Sequence, residues 1–153
     1  MEYKVKTVEP ERLMPALLEL LEVTESVPLV VSGNSMNPFL AHGRDTVYLS
    51  NMKEPPRRGD MVLYRRHNGD YILHRVYRVE ENEYTMVGDA QNWLETGIRR
   101  DQILAVVTAV CRKGKLLRKG CFWWDFFEKV WIRMVPLRRT VLALHTRLKK
   151  LVK

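Results

Sequence analysis

The sequence predicts a mainly β fold, a coiled or barrel-like sheet with a short helix before it and amphipathic helices after it. Three observations carry that expectation. Between residues 27 and 110 the apolar side chains fall in short β-type runs split by turn residues; upstream the apolar period is helical; downstream the helical period returns, rich in aromatics. The implied division is 1–26 as an N-terminal helical segment, 27–121 as the β domain and 122–153 as a basic helical tail. A chain of 153 residues is long enough for one core and short for two.

Taken in order, Pro10 and Glu11 open a segment in which Met14, Leu17, Leu18 and Leu21 recur at i, i+3, i+4 and i+7, with Glu19, Glu22 and Glu25 elsewhere on the wheel. The β-type runs are Val27 to Val31, Thr46 to Leu49, Asp60 to Tyr64, Tyr71 to Val79, Tyr84 to Val87 and Ile103 to Val110. Pro55-Pro56, Asn68-Gly69-Asp70 and Glu80-Glu81-Asn82 separate them, and the Asn-Gly step is a hairpin signal. After the turn around Arg112 to Lys115 a last hairpin strand reaches toward Cys121. Trp123, Phe127, Val130, Trp131 and Met134 then form one helical stripe, Pro136 interrupts it, and Leu137, Val141, Leu144, Leu148 and Leu151 form a second.

The net charge of +8 is not spread evenly. Arg112 to Lys153 holds 13 Lys or Arg against Asp125 and Glu128, a charge of +11, while the rest holds 13 against 16 acids, a charge of −3. The body that would carry chemistry is therefore mildly acidic, and the basic character belongs to the tail. No run approaches the ~18 uncharged apolar residues of a membrane span, and Met1 to Thr7 opens no signal peptide, so a cytoplasmic protein, or one peripheral to the inner membrane face, is expected. Cys111 and Cys121 read as free thiols, and neither stands at ligand spacing from a histidine, so no metal and no cofactor is expected.

Three motif segments follow one another in the β body. They are Val31-Ser32-Gly33-Asn34-Ser35-Met36-Asn37-Pro38-Phe39-Leu40, then Arg58-Gly59-Asp60-Met61-Val62 leading to Leu73-His74-Arg75-Val76, then Val87-Gly88-Asp89. In this order they resemble the serine peptidase superfamily that joins type I signal peptidases to the self-cleaving repressors. The resemblance implies that Ser35 is a nucleophile and that the residue before Arg75 is its general base. Most bacterial members and the repressors have lysine there; His74 resembles the Ser-His type of endoplasmic-reticulum and archaeal signal peptidases. An imidazole titrates near 6.5 unperturbed, so it accepts a proton at neutral pH without the ~3-unit depression a lysine needs. Strand alternation places His74 on the apolar face with Ile72 and Val76.

The same resemblance implies an orienting carboxylate in Gly88-Asp89-Ala90-Gln91-Asn92-Trp93-Leu94-Glu95, where Asp89 fits the first acid and Glu95 the last; which of them orients His74 is left open. Gly33 lets the backbone bend so that Ser35 Oγ faces a cleft and its own N–H faces a developing oxyanion. Ser32 and Asn34 are candidates for the second oxyanion donor. Met36, Phe39 and Leu40 either line a pocket for small substrate side chains or are plain core. Arg58-Gly59-Asp60 reads as a strand-entry turn, and His42, His67 and His145 as surface residues.

The function implied is a serine endopeptidase that cleaves a leader or signal-like segment from a peptide or protein precursor. The rival from another class is a repressor-related or inactive binding protein using the basic tail for nucleic acid or a partner. Nucleic acid is disfavoured, because one helix precedes Ser35 and the tail's Cys121-Phe122-Trp123-Trp124 cluster suits a bilayer interface or a protein groove better than phosphates. Residues 122–153 either meet an anionic membrane surface or acidic partner, or pack on the body.

Overall fold

In the computed structural model, which describes residues 10–152, helix α1 (Pro10–Val23) starts at a proline, the residue best suited to a first helical position, and buries Met14, Leu17 and Leu21. It leads into eight strands: β1 (Val27–Val30), β2 (Thr46–Ser50), β3 (Met61–Arg65), β4 (Tyr71–Val79), β5 (Glu83–Val87), β6 (Glu95–Arg99), β7 (Ile103–Arg112) and β8 (Lys115–Leu117). They form one antiparallel sheet in the order β1-β2-β7-β3-β4-β5-β6, with β8 also paired to β7. Register shifts interrupt the β2–β7, β3–β7, β4–β5 and β5–β6 ladders. Each shift bends the sheet and strengthens its twist, which lets the two faces cover separate cores.

The larger core gathers α1 with Val47, Leu49, Met61, Leu63, Ala105 and Val107; the second gathers Val62, Tyr64, Val76, Tyr84, Met86, Ile98 and Ile103. Neighbouring residues of β3 thus serve opposite cores, and its Met61–Tyr64 stretch is buried on both sides. Strand β6 is absent from the sequence expectation. Its Glu-Thr-Gly-Ile-Arg run has a single large apolar residue, Ile98, and it is an edge strand held by β5.

The segment after residue 121 contributes to the larger core rather than standing apart. Helix α2 (Phe122–Asp125) runs into a π turn (Phe126–Val130) and a 3-10 stretch (Trp131–Leu137), followed by helix α3 (Arg138–Leu151). Trp124, Phe127 and Trp131 sit in the core with Phe39, to which Phe127 approaches at 4.7 Å between ring centroids. The helical path breaks at Met134 (φ −92°, ψ 15°), two residues before Pro136, whose missing N–H and ring disfavour a continuous helix. The stripe from Trp123 to Met134 therefore mostly packs, whereas in the second stripe only Val141 lies against the core and the leucines stay exposed.

The Arg58-Gly59-Asp60 turn is a point of contact for this segment. Gly59 has φ +95°, and a Cβ there would lie 2.6 Å from Glu128 Cγ and 2.9 Å from Glu128 O. Lys119 bridges Asp60 (2.9 Å) and Glu128 (3.2 Å) beside it. Gly59→Ala is therefore expected to lower stability by roughly 2–4 kcal/mol, from left-handed strain plus overpacking. Gly114→Ala, at φ +79° with nothing within 4 Å of the new Cβ, is expected to cost strain alone, about 1–2 kcal/mol. Chemical denaturation of the two variants measures the difference, which isolates the contact with Glu128.

Candidate active site

Ser35 lies in a turn that leaves β1, opened by Gly33 at φ +83° and closed by Asn37 N–H donating to Asn34 O (3.2 Å) and Leu40 N–H donating to Met36 O (2.9 Å). Only a residue without Cβ strain turns the chain so sharply after a strand, which is the role the sequence assigns to Gly33. The Ser35 carbonyl accepts from Ala90 N–H at 2.9 Å, which ties the serine turn to the segment after β5. Among the described residues no group accepts from Ser35 N–H, so that donor is free to face a developing oxyanion.

His74, on β4, is 2 % exposed and belongs to the apolar face that alternation predicts. Its Nε2 lies 3.0 Å from the position a Cβ on Gly88 would take, and Ser35 O lies 2.6 Å from that same point. The imidazole edge and the serine turn thus converge over Gly88, where any side chain would push them apart. On the other side of the ring, Nδ1 is 3.2 Å from Tyr64 Oη. The tyrosine hydroxyl donates to Glu95 Oε2 at 2.7 Å, and Arg66 clamps Glu95 from behind with two hydrogen bonds of 2.8 Å.

These contacts fix the tautomer of His74. A hydroxyl has one proton, and that of Tyr64 is committed to Glu95; toward His74 it accepts, so Nδ1 carries the hydrogen and Nε2 carries the lone pair. The basic nitrogen is then the one facing the Ser35 turn. Burial pushes the imidazole down to about 4, with Glu95 pulling it up and Arg66 pushing it further down. Glu95 is held below the usual carboxylate range, first by its hydrogen bond from Arg66. Burial and the hydrogen bond to Glu95 raise Tyr64 well above an ordinary phenol, so it stays protonated.

The two candidate carboxylates separate in role. Glu95 reaches His74 through Tyr64. Asp89 does not: it is fully buried, and both its oxygens accept from Arg75 Nε, at 2.9 and 3.1 Å. Burial raises the Asp89 carboxyl, opposed by the Arg75 and Arg138 charges. Around this pair the Gly88–Gln91 turn is pinned on every side. Trp131 Nε1 donates to Asp89 O (2.8 Å), Arg138 Nη1 donates to Gly88 O (2.7 Å) and Gln91 O (3.0 Å), and Gly88 N–H donates to Gln91 Oε1 (2.9 Å).

Ser32 and Asn34 are exposed beside Ser35, and Asn34 Oδ1 accepts from Asn37 Nδ2 at 3.3 Å. Met36, Phe39 and Leu40 are buried in the larger core, the second of the two alternatives the sequence left for them. Phe39 carries the guanidinium of Arg75 5.2 Å above its ring, so it supports the turn from beneath. His42 is exposed as expected, and its Nδ1 accepts from Gly33 N–H at 2.9 Å.

The sequence places Tyr64 at the end of a β run and Trp131 in a helical stripe, but assigns neither of them, nor Arg66 or Arg138, to the site. Tyr64 had a detectable signal, since it lies two residues beyond Val62, the partner of His74 in the β3–β4 ladder, and therefore shares a sheet face with it. Trp131 and Arg138 come from a segment that motif order alone does not connect to the site.

No curated protein and no solved structure matches the chain significantly. The sequence profile of the family described as Peptidase S24-like matches residues 5–111, the stretch that runs from before α1 to the penultimate residue of β7 and holds Ser35, His74, Asp89 and Glu95. With well over half of its length inside that match, the chain belongs to the Peptidase S24-like family, which includes both peptidases and repressors.

Proposed function

We propose that the chain is a serine endopeptidase that cleaves a leader or signal-like segment from a peptide or protein precursor, with Ser35 as nucleophile and His74 as general base. The observation that carries this reading is the convergence of His74 Nε2 and the Ser35 turn over Gly88, with Nδ1 occupied by Tyr64. In the acylation step Ser35 Oγ attacks the scissile carbonyl while its proton passes to Nε2. The oxyanion forms against Ser35 N–H, and the imidazolium then returns its proton to the departing amine. Water repeats the sequence in reverse to release the acyl group. The positive charge that builds on His74 is met by Glu95 through the Tyr64 hydroxyl, and Arg66 holds Glu95 in place.

A peptide-library digest read by mass spectrometry tests the reading. Purified protein is expected to cut a subset of peptides, and Ser35→Ala and His74→Ala are each expected to reduce the rate by about a thousandfold or more while keeping the fold, because nucleophile and base act as one unit. Cleavage at an undiminished rate by either folded variant contradicts the assignment.

The pH dependence follows from burial. An unperturbed imidazole gives an acid limb at 6 to 7, the expectation from sequence; burial moves it to about 4, so activity is expected to hold from neutral pH down to about 5 and to fall below that. Glu95 pulls His74 upward, so Glu95→Gln is expected to shift the limb lower still while cutting turnover by about a hundredfold, and Tyr64→Phe to cut turnover similarly. Asp89→Asn is expected to act differently, by stranding the buried Arg75 charge at a cost of about 3–5 kcal/mol in unfolding free energy. Rate–pH profiles and denaturation curves on the three variants distinguish the two carboxylates.

A further inference from the structure

Helix α3 touches the body only near its start. Arg138 is buried in hydrogen bonds to Gly88, Gln91 and Trp131, and Val141 and Leu142 lean on the larger core. From Ala143 to Val152 every residue is exposed. Nine helical residues, Ala143 to Leu151, are marginal in water on their own, so this stretch gains stability only where its apolar stripe finds a partner. Leu144, Leu148 and Leu151 recur along it at i, i+4 and i+7 and are each more than half exposed, as is Leu137 ahead of Arg138.

The charge pattern selects the partner. No acid occurs after Glu128, and Arg139, Arg147, Lys149 and Lys150 flank the leucines, so a second copy of the helix would bring like charges together. An anionic bilayer surface accepts both features at once, leucines into the acyl boundary and basic heads onto lipid phosphates. Other apolar side chains lie outside the core in places tied to the same helix. Trp93 and Leu94 stand exposed on the loop whose Gln91 carbonyl is bound by Arg138, and Phe122 and Trp123 are exposed on α2.

We propose that the exposed stripe of α3, Leu144, Leu148 and Leu151 with Arg147, Lys149 and Lys150, docks the protein on anionic lipid bilayers. Because Arg138 joins the start of this helix to the Gly88 turn, docking holds the Ser35–His74 region close to the lipid surface. The docking itself does not rest on the peptidase reading, and Ser35→Ala is expected to bind as the unaltered chain does.

Co-sedimentation of the full chain with vesicles tests it, using phosphatidylglycerol mixed with phosphatidylcholine against phosphatidylcholine alone. Binding is expected to the anionic vesicles at low salt, with release as salt rises, and with affinity about tenfold or more weaker in the Leu144→Glu/Leu148→Glu double variant. Lys149→Glu/Lys150→Glu is expected to weaken binding likewise, and both pairs are exposed, so circular dichroism and thermal midpoint are expected to stay unchanged. Equal binding to neutral vesicles, no binding to anionic ones, or binding indifferent to the leucine variant overturns the proposal. So does a lipid-free dimer in sedimentation velocity that the leucine variant dissolves, since the stripe would then pair with a second copy.

Discussion

Everything at the site hangs on the buried turn from Gly88 to Gln91, and that turn exists because its polar groups are satisfied inside the protein. Asp89 and Arg75 face each other with almost no exposure, and an ion pair taken that far from water is kept only where further hydrogen bonds surround it. Here they do. Arg75 Nη1 also donates to Gly59 O at 2.9 Å, joining the turn to the strand-entry loop, while Trp131 and Arg138 take the carbonyls that would otherwise be orphaned. The pair contributes position more than stability. It fixes the glycine over which His74 Nε2 and the Ser35 turn converge.

At His74 two electrostatic effects compete, and burial wins. Desolvation disfavours the imidazolium more than Glu95 favours it, because the carboxylate acts through a tyrosine hydroxyl and is itself paired with Arg66, whose charge opposes that of the imidazolium. The outcome suits the role proposed for His74, a base that must be neutral before reaction and charged only within the transition state. It also has a cost in stability. The folded-state pKa lies below the unfolded value near 6.5, so the contribution of His74 is present above pH ~6.5 and is lost as pH falls toward about 4. Acid therefore weakens the fold from about pH 6.5 downward, while the folded imidazole is still neutral and protonates only as pH approaches about 4.

Much of this was legible in the sequence, for reasons that differ by element. The stripe of Met14, Leu17 and Leu21 and the alternation in β4 are local signals, and both helix and strand formed where those signals lay. Motif order placed Ser35 and His74 in one region because the segments that carry them are short and characteristic. Strand β6 was hidden by having a single large apolar residue, and Tyr64 by the register of β3 against β4, which sequence leaves undetermined until the pairing is known. Trp131 and Arg138 were hidden for a third reason. Their partners are backbone carbonyls more than 40 residues away, and a carbonyl has no signature in sequence. Of the two alternatives the sequence left for the aromatic run, Trp124, Phe127 and Trp131 take the packed one, forming a strap over Phe39 that brings Arg138 to the Gly88 turn.

The most direct test of the central claim is the labelling of the intact protein by a fluorophosphonate probe, followed by mapping of the modified peptide. One phosphonylated residue, Ser35, is expected, with labelling abolished in His74→Ala, where no base remains to take the hydroxyl proton. Labelling at another residue, or labelling of Ser35 at an unchanged rate without His74, would contradict it.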